Sequence, residues 1–232
     1  MPGFFNATTE GEKEMETRTK AIIVTIAALA VIAGIGFYVL NQGKNDMAGR
    51  GDMGHSNSEE ARNESTLYKQ YAALKGEDYD RTFIAGMIEH HRGAVDMANL
   101  AMTNAGHQEL KDMAKDIVAA QTKEINEMKS WQTSFGHQGS GDKPMDHSAT
   151  GMMSDMAAMT EKLKGKTGDE FDKLFLSLMI EHHGSAIDMA KPGETNAKRP
   201  EVKTLTKAII GAQSQEIAQM KQWQKDWGYE SR

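Results

Sequence analysis

MIEHHRGAVDMA, residues 87–98, is written almost unchanged a second time as MIEHHGSAIDMA at residues 179–190. The 232-residue chain has only eight histidines, and four of them lie in these two side-by-side pairs. A helix turns 100° per residue, which decides where each side chain of the first copy points. Phe83, Met87, His90, Ala94, Met97 and Ala101 fall in one stripe, with His91 and Ala98 on its shoulder. Glu89, Arg92 and Asp96 fall on the opposite side. Both imidazoles of each pair are therefore expected to face an apolar interior, with the neighbouring charges turned to water or to surface ion pairs.

Working outward, a constant offset of 92 positions organises the rest. Met53 and His55 map to Met145 and His147, Asp80 to Asp172, and Phe83 to Phe175. Gln121, Glu124, Ile125, Met128, Lys129 and Trp131 map to Gln213, Glu216, Ile217, Met220, Lys221 and Trp223. No insertion or deletion interrupts this register, so the chain reads as a tandem duplication. Each half reads as helical. Short helices are expected over about 60–75 and 152–165. Long ones run from about Asp80 to Asn104, ended by Gly106, and from Gln108 to Phe135, ended by Gly136. In the second half Thr167-Gly168-Asp169-Glu170 has capping-box spacing. Lys191-Pro192-Gly193 stops that helix, and Pro200 suits the first turn of the last one.

Strand alternation is absent. One helical hairpin cannot cover its own apolar face, and a second copy supplies the cover. The expected fold is all-α: an antiparallel four-helix bundle at 64–232, built from a duplicated helical hairpin, with repeat 1 over about 64–136 and repeat 2 over about 152–228. Trp131 and Trp223 would pack the bundle ends.

The partner helix of each half carries a second anomaly. Leu110, Ala114, Ile117, Ile125 and Met128 make its apolar face, yet Gln121 and Glu124 lie within it. A carboxylate on a core face is costly unless it is paired or bound. Duplication sets four histidines, two glutamates, two glutamines and six methionines where they could converge on a cation. Packing is the competing reading. A lone buried histidine is ordinarily a satisfied core residue, and methionine is a flexible gap-filler. Gln121, Glu124, Gln213 and Glu216, with Met128 and Met220, could also act behind the ligands, orienting the imidazoles by hydrogen bonds. His107 and His137 sit at helix ends without counterparts and carry no assignment.

Donor softness selects the ion. Thioether and imidazole without thiolate suit Cu(I), or its mimic Ag(I), better than magnesium or calcium, which want oxygen. Zinc is accessible through His and Glu, but it leaves the 17 methionines unexplained. A di-iron bundle needs more inward carboxylates and a Glu-x-x-His spacing that this chain lacks. Met53, His55, Met145 and His147, followed by Met152, Met153, Met156 and Met159, set further soft donors on connecting segments for capture of the ion.

Composition bounds the rest. There is no cysteine, which removes disulfides, thiolate sites and cysteine nucleophiles. A net charge of -6 without a basic cluster argues against nucleic acid. Residues 21–40, AIIVTIAALAVIAGIGFYVL, carry no charge and are long enough, at about 30 Å as a helix, to cross a bilayer. With Lys13, Arg18 and Lys20 ahead of it, residues 1–20 are expected in the cytoplasm and everything after the anchor outside. Residues 41–63, rich in Gly, Asn and Ser, read as a flexible tether.

The two copies of M-I-E-H-H-x-x-A-[VI]-D-M-A, each followed by A-Q-x-x-E-I-x-x-M-K-x-W, resemble the bacterial domain-of-unknown-function 305 family. The resemblance covers about 60–228. It implies a ferritin-like bundle and, since some exported members bind Cu(I) and Ag(I) through Met and His, a role in copper homeostasis. On that basis His90, His91, Met87 and Met97, with His182, His183, Met179 and Met189, are the leading metal ligands. The expected function is a non-catalytic, membrane-anchored binder that sequesters copper or hands it to a copper-trafficking protein. The rivals are a metal-dependent enzyme of ferritin-like type and a partner-binding helical module.

Overall fold

Residues 65–136 and 147–229 are described by the computed structural model, with side chains from 154 onward in the second stretch. The expected anchor at 21–40, the tether at 41–63, and Met53, His55, His137 and Met145 lie outside the described residues. So do the side chains of His147, Met152 and Met153. No helix among the described residues is long and apolar enough to cross a membrane.

Every element among the described residues is helical. In chain order they are α1 (Thr66–Ala73), α2 (Gly76–Asn104), α3 (Gln108–Ser134), α4 (His147–Leu163), α5 (Gly168–Ala190), α6 (Gly193–Asn196) and α7 (Pro200–Asp226). The four long helices pack as two hairpins, α2 on α3 and α5 on α7, and the two motif helices α2 and α5 meet in the middle. They run antiparallel, because the start of α2 lies by the end of α5: Gly76 bridges to Ala197, and Ala105 to Gly168. Helix α1 lies on α5, and α4 crosses α2.

The stripe deduced from 100° geometry is the buried one. Phe83, Met87, His90, Ala94, Met97 and Ala101 have no solvent exposure, and neither do the shoulder residues His91 and Ala98. Pro200 opens α7 at a position where its missing N–H costs nothing. Gly136 follows α3 with φ +72°, the left-handed conformation that glycine adopts without strain.

Several local expectations are corrected. Helix α2 begins four residues before Asp80, at Gly76, and α4 begins at His147 rather than 152. Thr167 precedes α5 but makes no side-chain cap hydrogen bond, so the expected capping box does not form. Met156 and Met159 are not on a connecting segment. They are buried on α4 against the core that contains Met97, Phe175 and Met179.

What ties the hairpins together is a reciprocal exchange. Asp172 of α5 accepts from the backbone amides of Gly106 and His107, both at 2.9 Å, at the turn into α3. Asp80 of α2 accepts from Lys198 and Arg199, both at 3.0 Å, at the turn into α7. A helix start leaves amide hydrogens without intrahelical partners, and here each half supplies the carboxylate for the other half's start. Both aspartates are fully buried. Burial raises the Asp80 pKa, and the two amide hydrogen bonds pull it back.

Candidate metal centre

Halfway along the α2–α5 contact, the two histidine pairs form one buried layer. His90, His91, His182 and His183 are all without solvent exposure. The inner pair crosses between halves: the rings of His90 and His182 lie 3.8 Å apart, centroid to centroid, tilted by 46°. The outer pair looks back into its own hairpin. His91 Nε2 is 2.7 Å from Glu124 Oε2 on α3, and His183 Nε2 is 2.6 Å from Glu216 Oε2 on α7.

Hydrogen bonding assigns the protons. The Nε2 of His182 lies 3.0 Å from the His90 carbonyl oxygen, which can only accept, so this nitrogen donates. The Ser185 hydroxyl donates to the His182 carbonyl at 2.7 Å, so it must accept from His90 Nε2, also at 2.7 Å. The carboxylates of Glu124 and Glu216 likewise accept from their imidazoles. All four rings thus carry a proton on Nε2. Burial, followed by the neighbouring imidazoles, lowers the His90 and His182 pKa values well below the ordinary value, so these two rings are neutral. The four Nδ1 atoms have no hydrogen-bond partner at all. A bare lone pair on each explains that pattern, since a buried N–H left unpaired would cost roughly 1–3 kcal/mol.

Four bare imidazole nitrogens in a buried layer are open to a cation. The glutamates stand where a metal-binding histidine usually keeps its second nitrogen engaged, and they raise ligand basicity. Gln121 and Gln213 make no hydrogen bond to the imidazoles: each is buried with its Oε1 unpartnered.

Nor do all the expected donors converge on one point. Met87, Met128 and Met189 fall in one apolar cluster, and Met97, Met179 and Met220 in the other. Of these six, each cluster takes two methionines from one half and one from its mate. Among the described residues, no three imidazole or carboxylate donors of the layer lie within 4.8 Å of one another. An ion held there has few nitrogen donors, and the thioethers packed in the adjoining clusters are the remaining candidates. That is a setting for soft monovalent ions rather than for calcium or magnesium.

One group that does meet the 4.8 Å spacing was missed in the sequence: His107, Asp169 and Asp172. The signal available was weak, because His107 has no histidine at position 199 and the two aspartates are far from it in sequence.

The domain-of-unknown-function family DUF305 matches this sequence twice, over residues 14–132 and 80–224. The chain belongs to the DUF305 family. A search among curated proteins finds no match. Among solved structures, CopM in its Cu(I)-bound form is 38% identical, with a TM-score of 0.52, covering 64% of this chain and 96% of its own. CopM in an Ag-bound form obtained by co-crystallisation is likewise 38% identical, with a TM-score of 0.51 and coverage of 64% and 96%. A DUF305 fragment from Deinococcus radiodurans is 28% identical, with a TM-score of 0.53, covering 61% of this chain and 92% of that one.

Proposed function

We propose that this DUF305 protein binds Cu(I), and Ag(I) in its place, in the α2–α5 layer, and that it sequesters copper or passes it on outside the cytoplasm. The observation that carries this reading is the set of four fully buried Nδ1 atoms without partners, each on a ring whose Nε2 is already committed. Their donors are His90, His91, His182 and His183. Met87, Met97, Met179 and Met189 supply the thioethers, and Glu124 and Glu216 orient the outer imidazoles. The Cu(I)- and Ag-bound forms of CopM support the choice of ion. We read the two hairpins as a ferritin-like four-helix bundle, derived by duplication, held at the membrane by 21–40. Met53, His55, Met145 and His147 would capture the ion.

Anaerobic titration of the full-length protein in detergent with Cu(I), Ag(I) and Zn(II) tests the reading. The expected result is tight monovalent binding that is lost when all four layer histidines are changed to glutamine, with circular dichroism showing both forms folded. Equal Ag(I) affinity in the two proteins would move binding to the connecting segments and leave the imidazoles as core.

A further inference from the structure

The 92-residue offset pairs not only the motifs but also the two ends where each half caps the other. At one end stand Glu77, Asp80, Phe135, Lys198 and Arg199. At the other stand Asp169, Asp172, Trp227, Gly106 and His107 in the corresponding places. The backbone is the same at both: Asp80 and Asp172 each hold two consecutive amides of the opposite half. The aromatic seat is also the same. The Arg199 guanidinium lies 3.8 Å over the Phe135 ring, and the His107 ring stacks on Trp227 at 3.8 Å and 7°.

The charges differ. At the first end Glu77 is met by Lys198 and, at 3.2 Å, by Arg199, so two carboxylates face two fixed positive charges. At the second end Asp169 and Asp172 face a glycine and one imidazole, and among the described residues neither aspartate pairs with a lysine or arginine. Asp172 is fully buried, where unbalanced charge costs most. Tyr229 stands in the same field. Its hydroxyl is pushed up to about 12 by burial first, and then by Asp169 and Asp172.

We propose that His107, Asp169 and Asp172 form a second metal site, separate from the imidazole layer, which takes a divalent ion of zinc type and supplies the two positive charges that Lys198 and Arg199 supply at the other end. The three residues each offer a ligand atom, all within 4.8 Å of one another. One imidazole nitrogen and two carboxylate oxygens, at a half-exposed position where water completes the shell, is a donor set for Zn(II) and not for Cu(I). Trp227 fixes the ring plane. The competing explanation is a plain hydrogen bond: His107 Nδ1 lies 2.7 Å from Asp172 Oδ2, and an imidazole N–H there serves the buried carboxylate without an ion.

The test is Zn(II) titration of the full-length protein in detergent by calorimetry, beside thermal unfolding with and without Zn(II). Wild type should unfold at a higher temperature with Zn(II). Asp169→Asn keeps the buried Asp172 cap and should bind one equivalent fewer and lose most of that rise. His107→Arg, which installs the mate's cation, should also bind one equivalent fewer while unfolding no lower than metal-free wild type. Unchanged Zn(II) stoichiometry in both variants, or no stabilisation of wild type by Zn(II), overturns the proposal; the second result leaves the His107–Asp172 hydrogen bond sufficient by itself. Ag(I) binding measured on the same variants should stay at the wild-type level, so failure here is distinguishable from failure of the imidazole layer.

Discussion

The inner and outer imidazoles occupy one layer but are held by different chemistry. His90 and His182 meet across the boundary between halves and lean on uncharged acceptors, the Ser185 hydroxyl and the His90 carbonyl. His91 and His183 each take a carboxylate from the partner helix of their own hairpin. Identical neighbours in sequence thus acquire separate roles from the helix they face. The inner pair is locked neutral by burial, and the outer pair is buttressed by charge.

Acid acting on the inner pair should have the largest effect. In the folded, metal-free protein His90 and His182 have pKa values well below the ordinary one, whereas in the unfolded chain they titrate near 6.5. Between those values the unfolded chain holds more protons, so this contribution to stability is complete above about pH 6.5 and falls as pH drops below it. Two rings give a slope of up to about 2.7 kcal/mol per pH unit. Urea unfolding between pH 7 and 5 should show this slope, and it should flatten in the folded His90→Gln, His182→Gln double variant. An undiminished slope in that variant would assign the effect to other groups.

Within the outer pair, the halves should differ. The Glu216 side chain is 10% exposed and that of Glu124 is 23% exposed. Removing the imidazole leaves a carboxylate stranded, and the deeper one suffers more. His183→Ala is expected to cost about 3 kcal/mol and His91→Ala about 1–2 kcal/mol, by urea unfolding of the metal-free protein. Equal costs would mean that the carboxylates are equally hydrated.

Two residues break the symmetry of the inner pair. Gly93 stands where the other half has Ser185. A Cβ at Gly93 would come within 2.9 Å of the Met156 Cβ, so Gly93→Ser should force α4 outward at about 2 kcal/mol. Ser185→Gly removes the acceptor of His90 Nε2 and should cost about 1 kcal/mol. A ranking in the opposite order, read from thermal unfolding, would show that Met156 yields easily and that the serine bridge matters more.

The helices and the buried stripe were legible because both depend on local periodicity. The stripe from Phe83 to Ala101 needed nothing beyond 100° per residue, and Pro192 and Pro200 marked ends through chemistry that does not depend on context. The pairing of Glu124 with His91 was open in the sequence, because it depends on how far α3 is turned against α2. The division of the methionines was not legible. Met97 and Met189 cross to the opposite half's cluster only because α2 and α5 run antiparallel through a shared midpoint. Asp80 and Asp172 were visible as a matched pair, but their partners are amides 118 and 66 residues away, which no local pattern announces.

The Nδ1 lone pairs of the layer are what a metal ion would bind, and a proton–nitrogen correlation spectrum of histidine-labelled full-length protein reads them directly. Before metal, the four rings should show Nε2 protonated and Nδ1 bare. On adding Ag(I), the Nδ1 resonances should move while the Nε2 protons stay in place. Resonances that shift at Nε2, or imidazoles that do not respond while the protein binds Ag(I) elsewhere, would contradict the assignment of this layer as the metal centre.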